Sequence, residues 1–353
     1  MNKVRLLFAF VFLLSLGKVQ AQDPQFSQFA NTAHLTNPAL IGVYDGTFRA
    51  SLAYREQWNT VLGKQPYRTM AASADIRRPV LRGDFVGAGV VAMRDETGGS
   101  NFRQDRVYAG AAYMKKLGGR GRSYKGATQY LVAGGQLGVG QNSFSGPGLV
   151  FSDQFELNTP TVVRESQEDF SNLSTPMFLD FNAGLLYYLV FDQDQSFYVG
   201  GSVHHISEPN VAFLDGAESD FLLARKYSVQ IGGELPIARN VTLLPAALGI
   251  RQAQSMRILA GTHFRYNSRE WREVALRFGV WGSVVNKLES GILMDATVVS
   301  ATLETERLDF GVSYDLNTSS LTQITNGRGA FEMTVTYKQP YRGRKLLVDC
   351  PRF

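Results

Sequence analysis

Residues 331–338 read Phe331-Glu332-Met333-Thr334-Val335-Thr336-Tyr337-Lys338, every odd position apolar and every even one polar. Period two sends alternate side chains to opposite faces of a sheet, so this octad is a strand with one apolar and one polar face. The preceding stretch sets Leu308, Phe310, Val312 and Tyr314 against Arg307, Asp309, Ser313 and Asp315. Further back, Phe48, Ala50, Leu52 and Tyr54 alternate with Arg49, Ser51, Ala53 and Arg55. Val274, Leu276, Phe278 and Val280 share a face opposite Arg277, and Arg257, His263 and Arg265 lie opposite Ile258, Ala260 and Phe264.

The same reading extends to about fourteen strands, each near the length of a membrane-spanning β-segment. They fall at 48–58, 67–77, 85–94, 106–116, 129–140, 178–190, 196–206, 225–235, 241–251, 255–265, 271–282, 288–298, 305–315 and 329–338. A soluble sandwich shares the alternation, so the context has to decide. Charged residues are only 19% of the chain and aromatics 12%, lighter in charge than a typical soluble protein. Arginine recurs on the minority face at Arg49, Arg55, Arg257, Arg265, Arg277 and Arg307, which suggests a polar, cation-lined lumen. A sandwich would turn those charges outward and gains little from glycines inside its strands.

Connection lengths give an independent test, because bacterial barrels have short periplasmic turns and longer outer loops. Two odd-numbered connections run to about 37 and about 18 residues, whereas most even ones have about 5 or 6. With an even strand count this places both termini in the periplasm. The expected fold is therefore all-β, a transmembrane antiparallel β-barrel of about fourteen strands.

Lys3 and Arg5, the apolar run Leu6 to Leu16 and the small-residue site Val19-Gln20-Ala21 read as a secretory signal over 1–21. The run is shorter than the roughly 20 residues of a membrane helix. Removing Lys3, Arg5 and Lys18 from the formal charge of +5 leaves about +2, so no nucleic-acid partner is implied. The domain plan is then a signal peptide over 1–21, a periplasmic or plug segment over 22–47, a barrel over 48–338 and a periplasmic tail over 339–353.

Chemistry-bearing motifs are scarce. His204 and His205, adjacent on a strand, point to opposite faces and would not share a metal. Asp192-Gln193-Asp194-Gln195 fits a tight turn better than a calcium loop, which needs more oxygen ligands. Gly134-Gly135-Gln136-Leu137-Gly138-Val139-Gly140 lacks the lysine of a phosphate loop and is better read as close strand packing or curvature. No nucleophile elbow or zinc-protease helix is present, so neither an enzyme nor a cofactor nor a metal is expected. The long connection at 141–177 fits an outer cap, a partner contact or a merely disordered loop. Cys350, the single cysteine, leaves no internal disulfide framework; pairing, modification and inertness all remain open for it.

Two segments break the alternation. Residues 22–47 carry Asp23, Pro24, Phe26, Phe29, Leu35, Leu40 and Ile41, too apolar for a free tail, with a turn at Asn37-Pro38-Ala39. A short plug in the periplasmic mouth would hide those groups. The tail holds Arg344, Lys345, Cys350, Pro351, Arg352 and Phe353, a handle for a periplasmic partner that the barrel itself does not need.

The opening Gln22-Asp23-Pro24-Gln25-Phe26-Ser27-Gln28-Phe29, Asn37-Pro38-Ala39, Tyr54-Arg55-Glu56-Gln57-Trp58 and the closing Cys350-Pro351-Arg352-Phe353 resemble the PorP/SprF family of the type IX secretion system of Bacteroidetes. The resemblance spans the chain after residue 21 and is specific mainly at its two ends. It implies an outer-membrane barrel of the secretion and gliding machinery that helps export or anchor surface proteins, often adhesins, through their C-terminal sorting domain. Implied partners are periplasmic ring components, the cargo domain and outer-membrane lipid. Loops 141–177 and 207–224 would meet the cargo, and the two end segments the machinery. Asn37-Pro38-Ala39 ahead of such a barrel is also similar to the FadL family of hydrophobic-compound channels. That alternative would require an apolar lumen pocket in place of the arginines.

Overall fold

The computed structural model describes residues 22–63, 65–81, 83–118, 127–145, 155–156, 159–162, 172–192, 195–213, 221–268, 274–287, 291–320 and 322–340. The signal expected over 1–21, the tail from 341 onward and most of 146–171 lie outside the described residues.

Fourteen long strands close into one antiparallel barrel. In chain order they are β1 (Phe48–Gln57), β2 (Tyr67–Leu81), β3 (Asp84–Thr97), β4 (Phe102–Gly118), β5 (Thr128–Ser145), β6 (Phe178–Asp192) and β7 (Gln195–His204). There follow β8 (Lys226–Ala238), β9 (Val241–Gln252), β10 (Ser255–Tyr266), β11 (Val274–Asn286), β12 (Ile292–Thr305), β13 (Leu308–Asn317) and β14 (Arg328–Gln339). Each pairs with its chain neighbours, and β1 closes the ring against β14, from Phe48 opposite Gln339 to Gln57 opposite Ala330. Closure leaves no sheet edge, which is what a lipid-embedded sheet requires.

The faces are inverted relative to a soluble protein. On β14, Glu332, Thr334 and Thr336 are 0%, 2% and 6% exposed, whereas Phe331, Met333 and Tyr337 are 42%, 38% and 37% exposed. The polar face is therefore the inner one, and the apolar face is the surface that hydrocarbon would cover. Several strands outrun their expected limits. β12 extends to Thr305 and β4 starts at Phe102, because the ladder hydrogen bonds continue beyond the clear alternation.

Connections after odd-numbered strands gather at one end and include 146–177 and 205–225. Those after even-numbered strands are mostly tight, such as 82–83, 193–194, 239–240 and 306–307. The ends are called below the long-loop end and the short-turn end. β1 starts, and β14 finishes, at the short-turn end. Within 146–177, Phe155–Glu156 pairs with Thr159–Val162, and Asn172–Ser174 adds to the end of β5.

The expectation of a plug confined to one mouth is corrected by the path of residues 22–47, which run the whole length of the lumen. Asp23 sits beside His205, Lys226 and Gln252 at the long-loop end, while Gly46 and Thr47 meet the carbonyl of Gln339 at the short-turn end. The reason is apolar burial. Ala39, Leu40, Ile41 and Val43 are 0–3% exposed and pack against Phe85, Met114, Tyr130, Val132, Leu186, Tyr188 and Tyr198 of the wall. Nearer the long-loop end Phe29 packs among Leu248, Leu259, Trp281 and Val298, edge-on to Trp281 at 5.5 Å between centroids. Each buried aliphatic or aromatic side chain contributes about 1.5–3 kcal/mol.

Candidate functional site

The site is the contact between this inner segment and the wall. At mid-depth a short helix, Ala33–Thr36, leads into a 3-10 turn at Pro38–Leu40. Asn37 caps that turn, its Oδ1 accepting from Ala39 N at 2.8 Å, and Pro38 supplies the preset backbone angle. The Asn37 amide also donates to the carbonyls of Leu185 (3.1 Å) and Gly201 (3.3 Å), joining the turn to β6 and β7. Two glycines make this approach feasible. A Cβ on Gly184 would strike Asn37 Oδ1, and one on Gly134 would strike the carbonyl of Pro38. Of the glycine-rich run on β5, Gly134 is room for the inner segment, while Cβ atoms on Gly138 and Gly140 would strike Tyr108 and Phe178 of the neighbouring strands, the close strand packing expected of the run.

Three polar clusters hold the rest. The first is formed by Asp75 on β2, which accepts from Gly42 N at 2.7 Å and from Arg49 at 2.8 and 2.9 Å, with His34 at 3.2 Å. The second is built on Glu332, whose carboxylate accepts from the backbone N–H groups of Ser27 (2.6 Å) and Gln28 (2.9 Å) and pairs with Arg55. Arg55 also reaches Asp315 at 2.9 Å, and Ser27 Oγ donates to the same Asp315 at 2.9 Å. Such charge-assisted contacts to backbone donors are among the stronger hydrogen bonds.

The third cluster lies at the long-loop end. Asp23 Oδ2 accepts from Lys226 Nζ at 2.5 Å and from His205 Nε2 at 2.7 Å, while Asp23 N donates to Gln252 Oε1 at 2.9 Å. His205 Nδ1 faces Asp180 Oδ2 at 2.7 Å, and Tyr108 OH donates to that oxygen at 2.8 Å. With a carboxylate at each ring nitrogen, His205 satisfies both only as the imidazolium. Burial alone would lower its pKa, yet Asp23 and Asp180 carry it above the ordinary value. Burial would likewise raise the Asp23 carboxyl, but Lys226 and His205 hold it well below the carboxylate range.

His205 corrects a second expectation. β7 ends at His204, and His205 has φ 58°, in the left-handed region, so the alternation breaks there. Both rings turn inward, 3% and 2% exposed, with centroids 6.4 Å apart. His204 serves the inner segment too, its Nε2 lying 3.2 Å from the carbonyl of Thr36. Among the described residues no group of three or more metal-ligating side chains is assembled.

The arginines of the polar faces divide. Arg49, Arg55, Arg265 and Arg277 point inward, but each meets a carboxylate: Asp75, Glu332 with Asp315, and Glu304 for the last two. Arg257 donates to Ser283 Oγ at 3.0 Å and Ser27 Oγ at 3.3 Å. Arg307 is not lumen-facing; it lies in the exposed turn between β12 and β13. The lumen is accordingly charge-compensated where a cation lining was expected, because unpaired buried charges are costly. Asp75, Asp315, Glu332, Glu304, Asp180 and His34 were not singled out from the sequence. Arg49 stands opposite Asp75, and Arg55 opposite Glu332, in the strand register. That signal exists only once the pairing of β1 with β2 and β14 is known.

Of the residues expected to bind partners, Phe26, Phe29, Asn37 and Pro38 are buried against the barrel's own wall, and Asp23 is held in the third cluster. Pro24 sits with Gln25 at the long-loop mouth. Arg344, Lys345, Cys350, Pro351, Arg352 and Phe353 lie outside the described residues.

The family model described as "Type IX secretion system membrane protein PorP/SprF" matches residues 18–337. The chain belongs to the PorP/SprF family. Together with the closed barrel, this makes it an outer-membrane protein of the type IX secretion system. No curated protein matches the chain by sequence. Among solved structures, the TodX monoaromatic hydrocarbon channel lacking S2 superposes with a TM-score of 0.53 at 11% identity, covering 88% of this chain and 94% of that one. The TodX deltaS2S3 mutant gives 0.50 at 10% identity over the same shares. A Pseudomonas aeruginosa FadL homologue gives 0.47 at 11% identity, over 91% and 95%. At these identities the PorP/SprF barrel shares a fold with the two TodX structures, which by itself assigns no transport.

Proposed function

We propose that this PorP/SprF barrel is a stationary outer-membrane docking component, which helps the type IX and gliding machinery export or anchor surface proteins such as adhesins through their C-terminal sorting domain. It does so without catalysing a reaction. The observation that carries this reading is the filled lumen. Residues 22–47 occupy it from end to end and are tied to the wall by three polar clusters and an apolar core. A barrel whose interior is so engaged offers its two ends, more than its bore, to other molecules.

Orienting the short turns toward the periplasm puts 205–225 and 146–177 outside, where they would meet cargo. The tail 339–353 would leave from the periplasmic side, where Arg344, Lys345 and the Cys350–Phe353 ending would engage ring components. Deleting 339–353 should leave an inserted, heat-modifiable barrel that no longer co-purifies with periplasmic components after mild cross-linking. Unchanged co-purification would sink the handle. Saturable uptake of a small hydrophobic compound by the reconstituted protein would instead favour a channel.

A further inference from the structure

A cup opens at the long-loop end, over residues 24–25 of the inner segment and between it and the inner faces of β1, β2 and β3. Its volume is about 350 Å³, within the range of small-molecule sites. The wall carries Gln57, Tyr67, Thr69 and Asp95, all on the lumen-facing register of their strands, and Trp58 closes one side. Thr69 Oγ1 donates to Asp95 Oδ1 at 2.6 Å, which orients that carboxylate.

The cup shares Arg55 with the second cluster, where its charge is met by Glu332 and Asp315, and three observations mark it as more than a part of that cluster. Trp58 has φ 58° and ψ 30°, a left-handed conformation rare for a bulky side chain and concentrated where structures clamp ligands. Its backbone is pinned in that state, Trp58 N donating to Gly329 O at 3.0 Å and Trp58 O accepting from Leu62 N at 3.0 Å. Trp58 and Tyr67 meet edge-on at 5.3 Å between centroids and 70°, so the indole is held still. Finally, Trp58 and Gln25, which line the cup, each hold a buried polar atom without a hydrogen-bond partner, Trp58 Nε1 and Gln25 Oε1. Orphaned groups of that kind cost free energy and mark a site under strain.

A rigid aromatic pair beside an oriented carboxylate and a glutamine amide suits a ligand with an apolar ring face and a rim of hydroxyls. We propose that the long-loop mouth of this barrel is a binding site for a neutral saccharide unit, stacked on the aromatic pair and hydrogen-bonded by Gln57 and Asp95. The chemistry favours sugar over an extended peptide. A peptide strand would seek a free sheet edge, which closure of β1 on β14 removes.

The test presents the full-length protein, purified in detergent, to an array of neutral mono- to tetrasaccharides and in parallel to an array of unstructured peptides. Retention on at least one saccharide is expected. Trp58→Ala should abolish it, and Trp58→Phe, which keeps a ring but narrows the stacking face, should weaken it by about tenfold. All variants should keep the heat-modifiable band of an intact barrel, since the loop carries no part of the ladder. No saccharide retention, retention unaffected by Trp58→Ala, a Trp58→Phe variant as tight as the parent, or Trp58-dependent retention of peptides alone would each overturn the proposal.

Discussion

The two halves of the inner segment are held by different physics. Residues 37–43 are held mainly by shape, with Gly42 N on Asp75 as a charged contact: Leu40, Ile41 and Val43 fill an apolar pocket, and Asn37 fits where Gly184 leaves room. Residues 23–31 are held largely by charge, through Glu332, Asp315 and the Asp23–His205–Lys226 cluster, with Phe26 and Phe29 as apolar anchors. Packing of the first kind is insensitive to solution conditions. Contacts of the second kind answer to pH and to single charge changes. The half near the short turns therefore behaves as part of the barrel core, and the half near the long loops as a latch.

Gly184→Val should have the largest effect, because the Asn37 side chain and the Pro38 ring stand where the new side chain must go. We expect loss of the docked segment, read as protease cleavage between residues 23 and 47 in an otherwise inserted barrel. Glu332→Ala comes next. It leaves Arg55 with Asp315 alone and strands two backbone N–H groups in the interior, and should cost about 3–5 kcal/mol, seen as a lower temperature of heat modification. Leu40→Ala should cost about 2–5 kcal/mol by the same measurement. If Leu40→Ala frees residues 23–31 as readily as Glu332→Ala does, the contrast between the halves is broken.

The pH dependence itself has a defined sign. His205 has its pKa raised above 6.5, so its contribution is full below pH 6.5 and is lost as pH rises through the elevated value. Asp23 has its pKa lowered from 3.8, so its contribution is full above that and is lost as pH falls through the depressed value. A cysteine placed at residue 25, which leaves Asp23 in place, should therefore become more accessible to a thiol reagent as pH rises past neutrality, while one at residue 40 should not. The smallest effect is expected outside the lumen. Arg94 and Asp105 form a surface pair with side chains 49% and 39% exposed, and Arg94→Ala should change stability by about 0–1 kcal/mol.

How much of this was legible beforehand follows from the range of each interaction. The strands were readable one by one, since alternation is a property of a single segment. The left-handed residue His205 was not, because nothing local in Val203-His204-His205 announces where β7 stops. The arginines stood out by their spacing, but their partners did not: Arg55 and Glu332 are 277 positions apart and meet only through closure of the ring. Arg307 was misassigned by its place next to an alternating stretch, when the strand begins one residue later.

Alternation, connection lengths and the apolar character of residues 22–47 were enough to determine a fourteen-strand barrel with a segment that needs shelter. Side-chain period and turn chemistry act over a few residues, so one sequence carries them. Only the tertiary structure decided where that segment lies, which carboxylates neutralise the arginines, and that Trp58 and Gln25 share a mouth. Those facts depend on strand register and ring closure, which bring together residues that no local pattern connects.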